Sequence, residues 1–123
     1  MEAPGQFLRH YSPDIDSFLF KGFSDESKLD VSECVMLDFG EIFISLKDKV
    51  KYYVDLSSEG EFLEAINVIY DKLRWCETKK DANCVLITNF MESTISEENF
   101  KGKEHKEALF DRIFRATSGK EIA

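Results

Sequence analysis

The sequence contains few of the residues that build covalent or metal-dependent sites. It has three cysteines, two histidines and one tryptophan in 123 residues, and no two cysteines stand in a C-x-x-C spacing. A structural zinc site needs four ligands, usually supplied by such pairs, so the count argues against a bound metal. Cys34, Cys76 and Cys84 are an odd number, which indicates buried free thiols in a reducing compartment, and we expect a cytoplasmic protein.

Closely spaced glycines and long apolar segments are also missing. The six glycines form neither G-x-G-x-x-G nor another phosphate-binding loop. No apolar run approaches the roughly 18 to 20 residues of a membrane-spanning helix. Residues 1–5 lack the basic and apolar regions of a signal peptide. We therefore expect no membrane partner and no nucleotide-binding loop within this sequence.

Negative charge, in contrast, is abundant. The chain has 24 acidic and 16 basic residues, a formal net charge of −8 and an isoelectric point near 4.8. Proteins grip a phosphate backbone with clustered Lys and Arg side chains, so we expect no direct binding to nucleic acid. The hydrophobic content of 43%, with eleven phenylalanines, is sufficient for one well-packed core.

Short apolar segments suggest several strands. Cys34–Phe39 and Val85–Thr88 are continuous apolar runs, which are typical of strands buried on both faces. Ser17–Phe20 and Tyr52–Val54 are shorter strand candidates. Ile42–Ile44 fits either a further strand or the start of a short helix. The sequence thus predicts four to five strands.

Amphipathic segments separate these strands. Phe62–Leu73 carries apolar residues at helical spacing, and Ser58 and Glu61 before it have the spacing of a capping box. A second helix is predicted over Glu104–Thr117. The polar residues 91–103 have no sustained period and predict a loose excursion.

The alternation of strands and helices predicts the fold class. It favours a small three-layer, Rossmann-like α/β sandwich with a mainly parallel sheet. Residues 1–15 have no helical period and contain two prolines, so they are interpreted as a linker. Residues 16–123 are interpreted as the folded domain.

Polar side chains follow three of the predicted strands. Asp38, Asp55 and Asn89 stand at or near the carboxyl ends of their strands, the edge where open α/β sheets bind ligands. Carboxylates gathered there could hold Mg²⁺. The alternative is that each side chain caps a loop or a helix start, as Asp and Asn commonly do.

The linker carries an unusual set of functional groups. Arg9, His10 and Tyr11 place a cation, an imidazole and a phenol side by side, directly before Ser12 and Pro13. Such groups bind anions, accept protons or stack on a base. A plain tether needs none of them, so the segment is a candidate functional linker.

Residues 3–13 carry a resemblance to a known family. The segment APGQFLRHYSP resembles the motif S/A-P-G-M-x-x-x-H-Y-x-P of two-domain threonylcarbamoyl-adenylate synthases. Gln6 replaces the usual methionine of that motif, and residues 91–103 are longer than the corresponding loop. Other segments are similar in the same order along the chain, namely Leu37–Gly40, Asp55–Ser57, Ala65–Trp75 and Ala108–Ala116.

The resemblance implies a function for the parent protein. In that family the linker joins an N-terminal YrdC-like catalytic domain to a smaller C-terminal Rossmann-like domain. The catalytic domain is a nucleotidyltransferase that makes threonylcarbamoyl-adenylate from ATP, threonine and bicarbonate, for modification of the tRNA adenosine beside the anticodon. ATP and Mg²⁺ belong to that domain, which has no counterpart here, so we expect no cofactor and no catalytic residue in this fragment.

The resemblance also implies a role for the linker. It places Gly5, His10, Tyr11 and Pro13 in a lid over the mouth of the catalytic cavity, and it makes the YrdC-like domain the first expected partner, with other tRNA-modification proteins as further ones. The chain is then an accessory or regulatory domain. Two alternatives stay open, namely an independent Rossmann-like module for a nucleotide or small molecule, and a protein–protein adaptor of the tRNA-modification machinery.

Overall fold

A computed structural model describes residues 15–23, 30–92 and 95–122, and the chain forms one five-stranded sheet. All strand pairs are parallel, and the order across the sheet is β3-β2-β4-β1-β5. The predicted α/β sandwich with a mainly parallel sheet is therefore confirmed. The strands are β1 (Ser17–Phe20), β2 (Cys34–Asp38), β3 (Tyr52–Asp55), β4 (Cys84–Thr88) and β5 (Glu121–Ile122).

The two central strands carry the longest apolar runs. Every residue of β2 and β4 is buried, as continuous hydrophobic runs predict for strands covered on both faces. β5 was not predicted, because its two residues have no apolar run and pair only with Leu19 and Phe20 at the end of β1. The Ile42–Ile44 segment is a turn that leads into a 3-10 helix over Ile44–Leu46, so it is not a strand.

Two α-helices follow β3 and β4. Helix α1 spans Phe62–Glu77 and helix α2 spans Lys106–Thr117, which confirms both predicted helices. The predicted capping box is wrong, since Ser58 is exposed and the backbone N–H of Glu61 instead donates to Oγ of Ser57 at 3.0 Å. Ser57, the residue before Ser58, therefore closes the turn that precedes α1.

Side chains alternate between the two faces of the sheet and form two core clusters. Val35 and Leu37 of β2 face helices α1 and α2. Cys34 and Met36, between them, face the opposite side, where turns and 3-10 helices such as Ile44–Leu46 cover the sheet. Each fully buried apolar side chain contributes about 1.5 to 3 kcal/mol to stability. The three layers are thus a helical layer, the sheet, and a layer of short turns.

An aromatic cluster closes the carboxyl end of the helical face. Phe39 and Phe62 stack with ring centroids 4.6 Å apart, and Phe90 and Phe100 pack against both rings. Phe100 lies in the predicted excursion 91–103. That prediction differs from the structure over the described residues 95–103, because an aromatic ring anchors them to the core.

The same segment is also held by its backbone. The N–H of Phe62 donates to the carbonyl of Lys101 at 3.0 Å, and the N–H of Lys101 donates to the carbonyl of Gly60 at 2.9 Å. Lys106 of α2 pairs with Glu97. Among residues 15–23, 30–92 and 95–122, none of the helices has the length and apolarity required to cross a membrane.

Candidate functional site

Two aspartates meet at the carboxyl edge of the sheet. Asp38 ends β2, Asp55 ends β3, and the two are register partners. Asp38 is completely buried, and each of its oxygens accepts two hydrogen bonds. Its Oδ1 accepts from the N–H of Phe39 at 2.8 Å and from the hydroxyl of Thr88 at 2.7 Å. Its Oδ2 accepts from the N–H of Phe43 at 2.8 Å and from a tyrosine hydroxyl described below.

The carboxylate of Asp55 is bound by backbone donors in the same way. Oδ2 accepts from the N–H of Glu41 at 2.8 Å, and Oδ1 accepts from the N–H groups of Gly40 at 3.2 Å and Ser57 at 2.9 Å. Burial raises the pKa of Asp55 above its ordinary value, and the negative charge of Asp38 adds to that effect. The three N–H donors oppose the shift, because they stabilise the ionised form.

The hydroxyl of Tyr53 lies between the two carboxylates. It donates to Oδ2 of Asp38 at 2.6 Å and lies 3.4 Å from Oδ2 of Asp55. Burial raises the pKa of Tyr53, and the hydrogen bond to Asp38 raises it further, since both favour the neutral phenol. Tyr53 is therefore a donor that holds the two strand ends together.

Asn89, the third predicted residue, has a different role. It follows β4 and is buried, and its backbone N–H donates to the carbonyl of Phe20 at 2.8 Å. Its side-chain Oδ1 accepts from the N–H of Met91 at 3.0 Å, which forms the local turn that Asn commonly supports. The connection from β4 to the aspartates runs instead through Thr88, the residue before it.

Donors converge on this edge in a pattern that α/β proteins often use for anions. Turn N–H groups pointing into one concavity bind phosphate in many such folds. Here the chain's own carboxylates occupy that position and accept bonds from five backbone N–H groups, those of Phe39, Gly40, Glu41, Phe43 and Ser57. N–H and O–H donors are opposite in polarity to the oxygen ligands that a cation requires.

Metal binding was the other interpretation of these acids. Within the part of the chain that the structure describes, His, Cys, Asp and Glu side chains form no group of three or more suited to a metal ion. Sequence reasoning did not identify Tyr53 and Thr88 as members of the cluster. The available signal was position alone, since Thr88 ends a predicted strand and Tyr53 stands two residues before Asp55.

A shallow cleft lies beside this edge. It has a volume of about 540 Å³, and Gly40, Ile42 and Phe100 contribute to its wall. Its polar groups are the side chains of Ser58, Glu59, Ser96 and Asn99. The lining is therefore uncharged or acidic, which is unfavourable for a phosphate group.

The linker joins the fold at the amino ends of the strands, opposite the aspartate cluster. The predicted lid residues Gly5, His10, Tyr11 and Pro13 lie outside the described residues. Ile15 packs against the core, and the backbone N–H of Val85 donates to the carbonyl of Asp16 at 2.8 Å. A second cleft of about 310 Å³ surrounds this entry point, where Ile15 and Asp16 face residues at the end of α1.

Comparison with known families assigns the chain. Residues 1–118 match the family described as threonylcarbamoyl-AMP synthase, C-terminal domain, so the match covers the linker motif and nearly all of the folded domain. Comparison with curated proteins finds no match, and comparison with solved structures finds none either. The chain belongs to the family of threonylcarbamoyl-AMP synthase C-terminal domains.

Proposed function

We propose that this domain is a non-catalytic support, which anchors the linker and thereby positions it over the active site of the synthase's YrdC-like domain. The observation that carries the proposal is the saturated edge of the sheet. Asp38 and Asp55 already occupy the backbone donors that a nucleotide phosphate would use. A sheet edge filled by its own carboxylates serves structure rather than ligand binding.

The attachment of the linker supports the second half of the proposal. β1, which follows the linker directly, is an internal strand that pairs with β4 on one side and β5 on the other. The hydroxyl of Ser17, its first residue, donates to the carbonyl of Ile15 at 3.1 Å. An internal strand gives the linker a rigid end, and a lid closes reproducibly when its hinge is fixed.

The charge of the domain argues against independent nucleotide chemistry. Its formal net charge is −8, and Glu41 and Glu59 add further acids beside the aspartate cluster. ATP carries several negative charges and is bound where cations and backbone donors outweigh acids. This charge supports the proposal that ATP and Mg²⁺ bind to the catalytic domain.

The proposed lid would protect a labile product. Threonylcarbamoyl-adenylate is a mixed anhydride, which water hydrolyses, so a lid that excludes water raises its yield. His10 and Tyr11 are the linker groups with hydrogen-bonding and stacking capacity for this task. In this proposal they act only together with the catalytic domain, so the chain by itself should be inactive.

A reconstitution experiment tests the proposal. The chain alone, supplied with ATP, threonine, bicarbonate and Mg²⁺, should release no pyrophosphate. Adding it to the YrdC-like domain, joined or in trans, should raise the yield of threonylcarbamoyl-adenylate. The double variant His10→Ala, Tyr11→Ala should lose that gain, whereas Asp48→Ala, at an exposed turn, should keep it. Pyrophosphate release by the chain alone would refute the proposal.

The 540 Å³ cleft beside Phe100 favours a second candidate function, an independent module that binds a nucleotide or another small molecule. Calorimetric titration of the chain with ATP and AMP, each with and without Mg²⁺, separates the two functions. We expect no saturable heat. Binding at micromolar concentration, weakened by Ser96→Trp in the cleft wall, would support the module instead.

A further inference from the structure

Two cysteines stand side by side at the amino ends of neighbouring strands. Cys34 is the first residue of β2, Cys84 is the first residue of β4, and the two are register partners. Their Sγ atoms lie 2.8 Å apart. Both are free thiols and nearly buried, with 2% of Cys34 and 8% of Cys84 exposed.

The distance between the two Sγ atoms excludes a shared zinc ion as the reason for their pairing. Two thiolates that share a zinc ion stand roughly 3.8 Å apart, given tetrahedral geometry and Zn–S bonds of about 2.3 Å. The Sγ atoms of Cys34 and Cys84 are an ångström closer than that. The described residues also supply no third and fourth ligand in a suitable group. The two thiols are therefore in direct contact with one another and are not arranged as metal ligands.

We propose that Cys34 and Cys84 are a modification site, where an intramolecular disulfide forms when the chain meets a low-molecular-weight disulfide such as oxidised glutathione. The backbone spacing permits it. Paired residues on neighbouring strands have Cα atoms about 4.8 Å apart, and disulfides accept Cα separations of about 4.4 to 6.8 Å. The inference is independent of the function proposed above.

The reaction consists of two thiol–disulfide exchanges. The thiolate of Cys34 attacks one sulfur of oxidised glutathione, forming a mixed disulfide and releasing one glutathione thiolate. The thiolate of Cys84, its proton lost to solvent, then attacks the Cys34 sulfur and releases the second glutathione. The protein gives up two thiol protons and two electrons, and one oxidised glutathione becomes two reduced molecules.

The pKa directions favour Cys34 over Cys84 as the first nucleophile. The hydrogen bond from Cys84 lowers the pKa of Cys34, because it stabilises the Cys34 thiolate. Hydrogen bonding with Cys34 and burial raise the pKa of Cys84. Both residues begin their strands but are buried, so the proposed reaction requires a local opening at the amino edge of the sheet that admits glutathione.

The third cysteine provides an internal control. Cys76 lies on helix α1 and packs in the core cluster on the helical face. Cys34 and Cys84 belong to the cluster on the opposite face of the sheet. The sheet therefore separates Cys76 from the pair, and Cys76 should remain a free thiol after oxidation.

Peptide mapping of the full chain tests the inference without any substitution. Trypsin separates the three cysteines into Leu29–Lys47, Trp75–Lys79 and Asp81–Lys101. After incubation with oxidised glutathione, alkylation in denaturant and digestion without reductant, we expect the first and third peptides to be joined. Only Trp75–Lys79 should carry the alkyl group. Three alkylated peptides, or a link that includes Trp75–Lys79, would overturn the inference.

Single substitutions test the role of each cysteine. Cys76→Ser should form the same disulfide as the unmodified sequence. Cys84→Ser removes the second nucleophile, so a stable mixed disulfide with glutathione should accumulate on Cys34. If Cys84→Ser does not fold, the mapping of the unmodified chain and of Cys76→Ser still decides. Mixed disulfides alone in the unmodified chain would contradict the pairing.

Discussion

The hydroxyl of Thr88 donates a 2.7 Å hydrogen bond to Oδ1 of Asp38, and this bond ties the carboxyl end of β4 to that of β2. Both residues are buried, and they are 50 residues apart in the chain. The pair closes the crevice between two neighbouring strands, a position where open α/β sheets commonly admit a ligand. The first prediction concerns the energetic importance of this closure.

Asp38→Ala should destabilise the fold strongly. The substitution leaves the N–H groups of Phe39 and Phe43 and the hydroxyls of Tyr53 and Thr88 without their acceptor in a buried site. We expect a loss of about 3 kcal/mol or more in the free energy of unfolding. Urea denaturation followed by the fluorescence of Trp75, the single tryptophan, measures it.

A matched control for this substitution is Asp48→Ala. Asp48 is an exposed aspartate in the turn between β2 and β3, and its replacement should change stability by less than about 0.5 kcal/mol. An equal loss for the two variants would show that the buried carboxylate has no special importance.

Gly60→Ala should lower the free energy of unfolding more than Gly102→Ala, as measured by urea denaturation. Both glycines have a left-handed backbone, with φ of 74° and 71°. A Cβ at Gly60 would lie 2.3 Å from the ring of Phe100, whereas at Gly102 the nearest atom is 3.6 Å away. The backbone conformation alone costs about 1 to 2 kcal/mol, and we expect the ring contact at Gly60 to add about 2 kcal/mol.

Phe100→Leu should relieve part of the cost at Gly60. A double-mutant cycle between the two positions isolates the contact, and a coupling energy near zero would contradict it. The same cycle between Phe100 and Gly102 is the control.

Tyr53→Phe should reduce the loss of folding stability at alkaline pH. The pKa of Tyr53 is raised in the folded protein above its ordinary value of 10.0, because of burial and the hydrogen bond to Asp38. Above pH 10 the unfolded chain loses this proton while the folded chain keeps it, so stability falls as pH rises. Tyr53→Phe should therefore have a lower urea midpoint than the unmodified chain at pH 8, and the difference between the two midpoints should shrink at pH 11. Parallel declines would refute the proposed environment of Tyr53.

Cys76 should resist alkylation in the folded chain. Burial raises its pKa from 9.0 to about 12, with a smaller contribution from the charge of Glu77. The thiolate fraction at pH 8 is then roughly a thousandfold lower than in the unfolded chain. Timed labelling with iodoacetamide, followed in the peptide Trp75–Lys79, should show this protection, and urea should abolish it. Native and denatured rates within tenfold of one another would contradict it.

Most of the fold could be predicted from local patterns. The buried strands β2 and β4 and the helices α1 and α2 follow from apolar runs and from helical spacing, which are properties of short segments. β5 could not be predicted in this way, because two residues carry no period and become a strand only beside β1. The packing of Phe100 could not be predicted for a similar reason, since its partners Phe39 and Phe62 lie about 40 to 60 residues away in the sequence.

The candidate site was predicted less completely. Asp38, Asp55 and Asn89 were identified by their position at strand ends, and two of the three do meet at one edge. Whether such acids bind a metal, a ligand or the chain's own backbone depends on which groups face them. Here the donors come from the turn after β2, from β3 and the residues that follow it, and from Thr88 of β4.

The sequence by itself determined the family, the alternation of strands and helices, and the excess of negative charge. A linker motif, a hydrophobic period and a charge count all belong to the chain before it folds. Only the tertiary structure decided that Asp38 accepts four hydrogen bonds and that Cys34 and Cys84 touch. Two of the donors to Asp38, Tyr53 and Thr88, and the sulfur partner of Cys34 lie in other strands, up to 50 residues away, and the strand order brings them together.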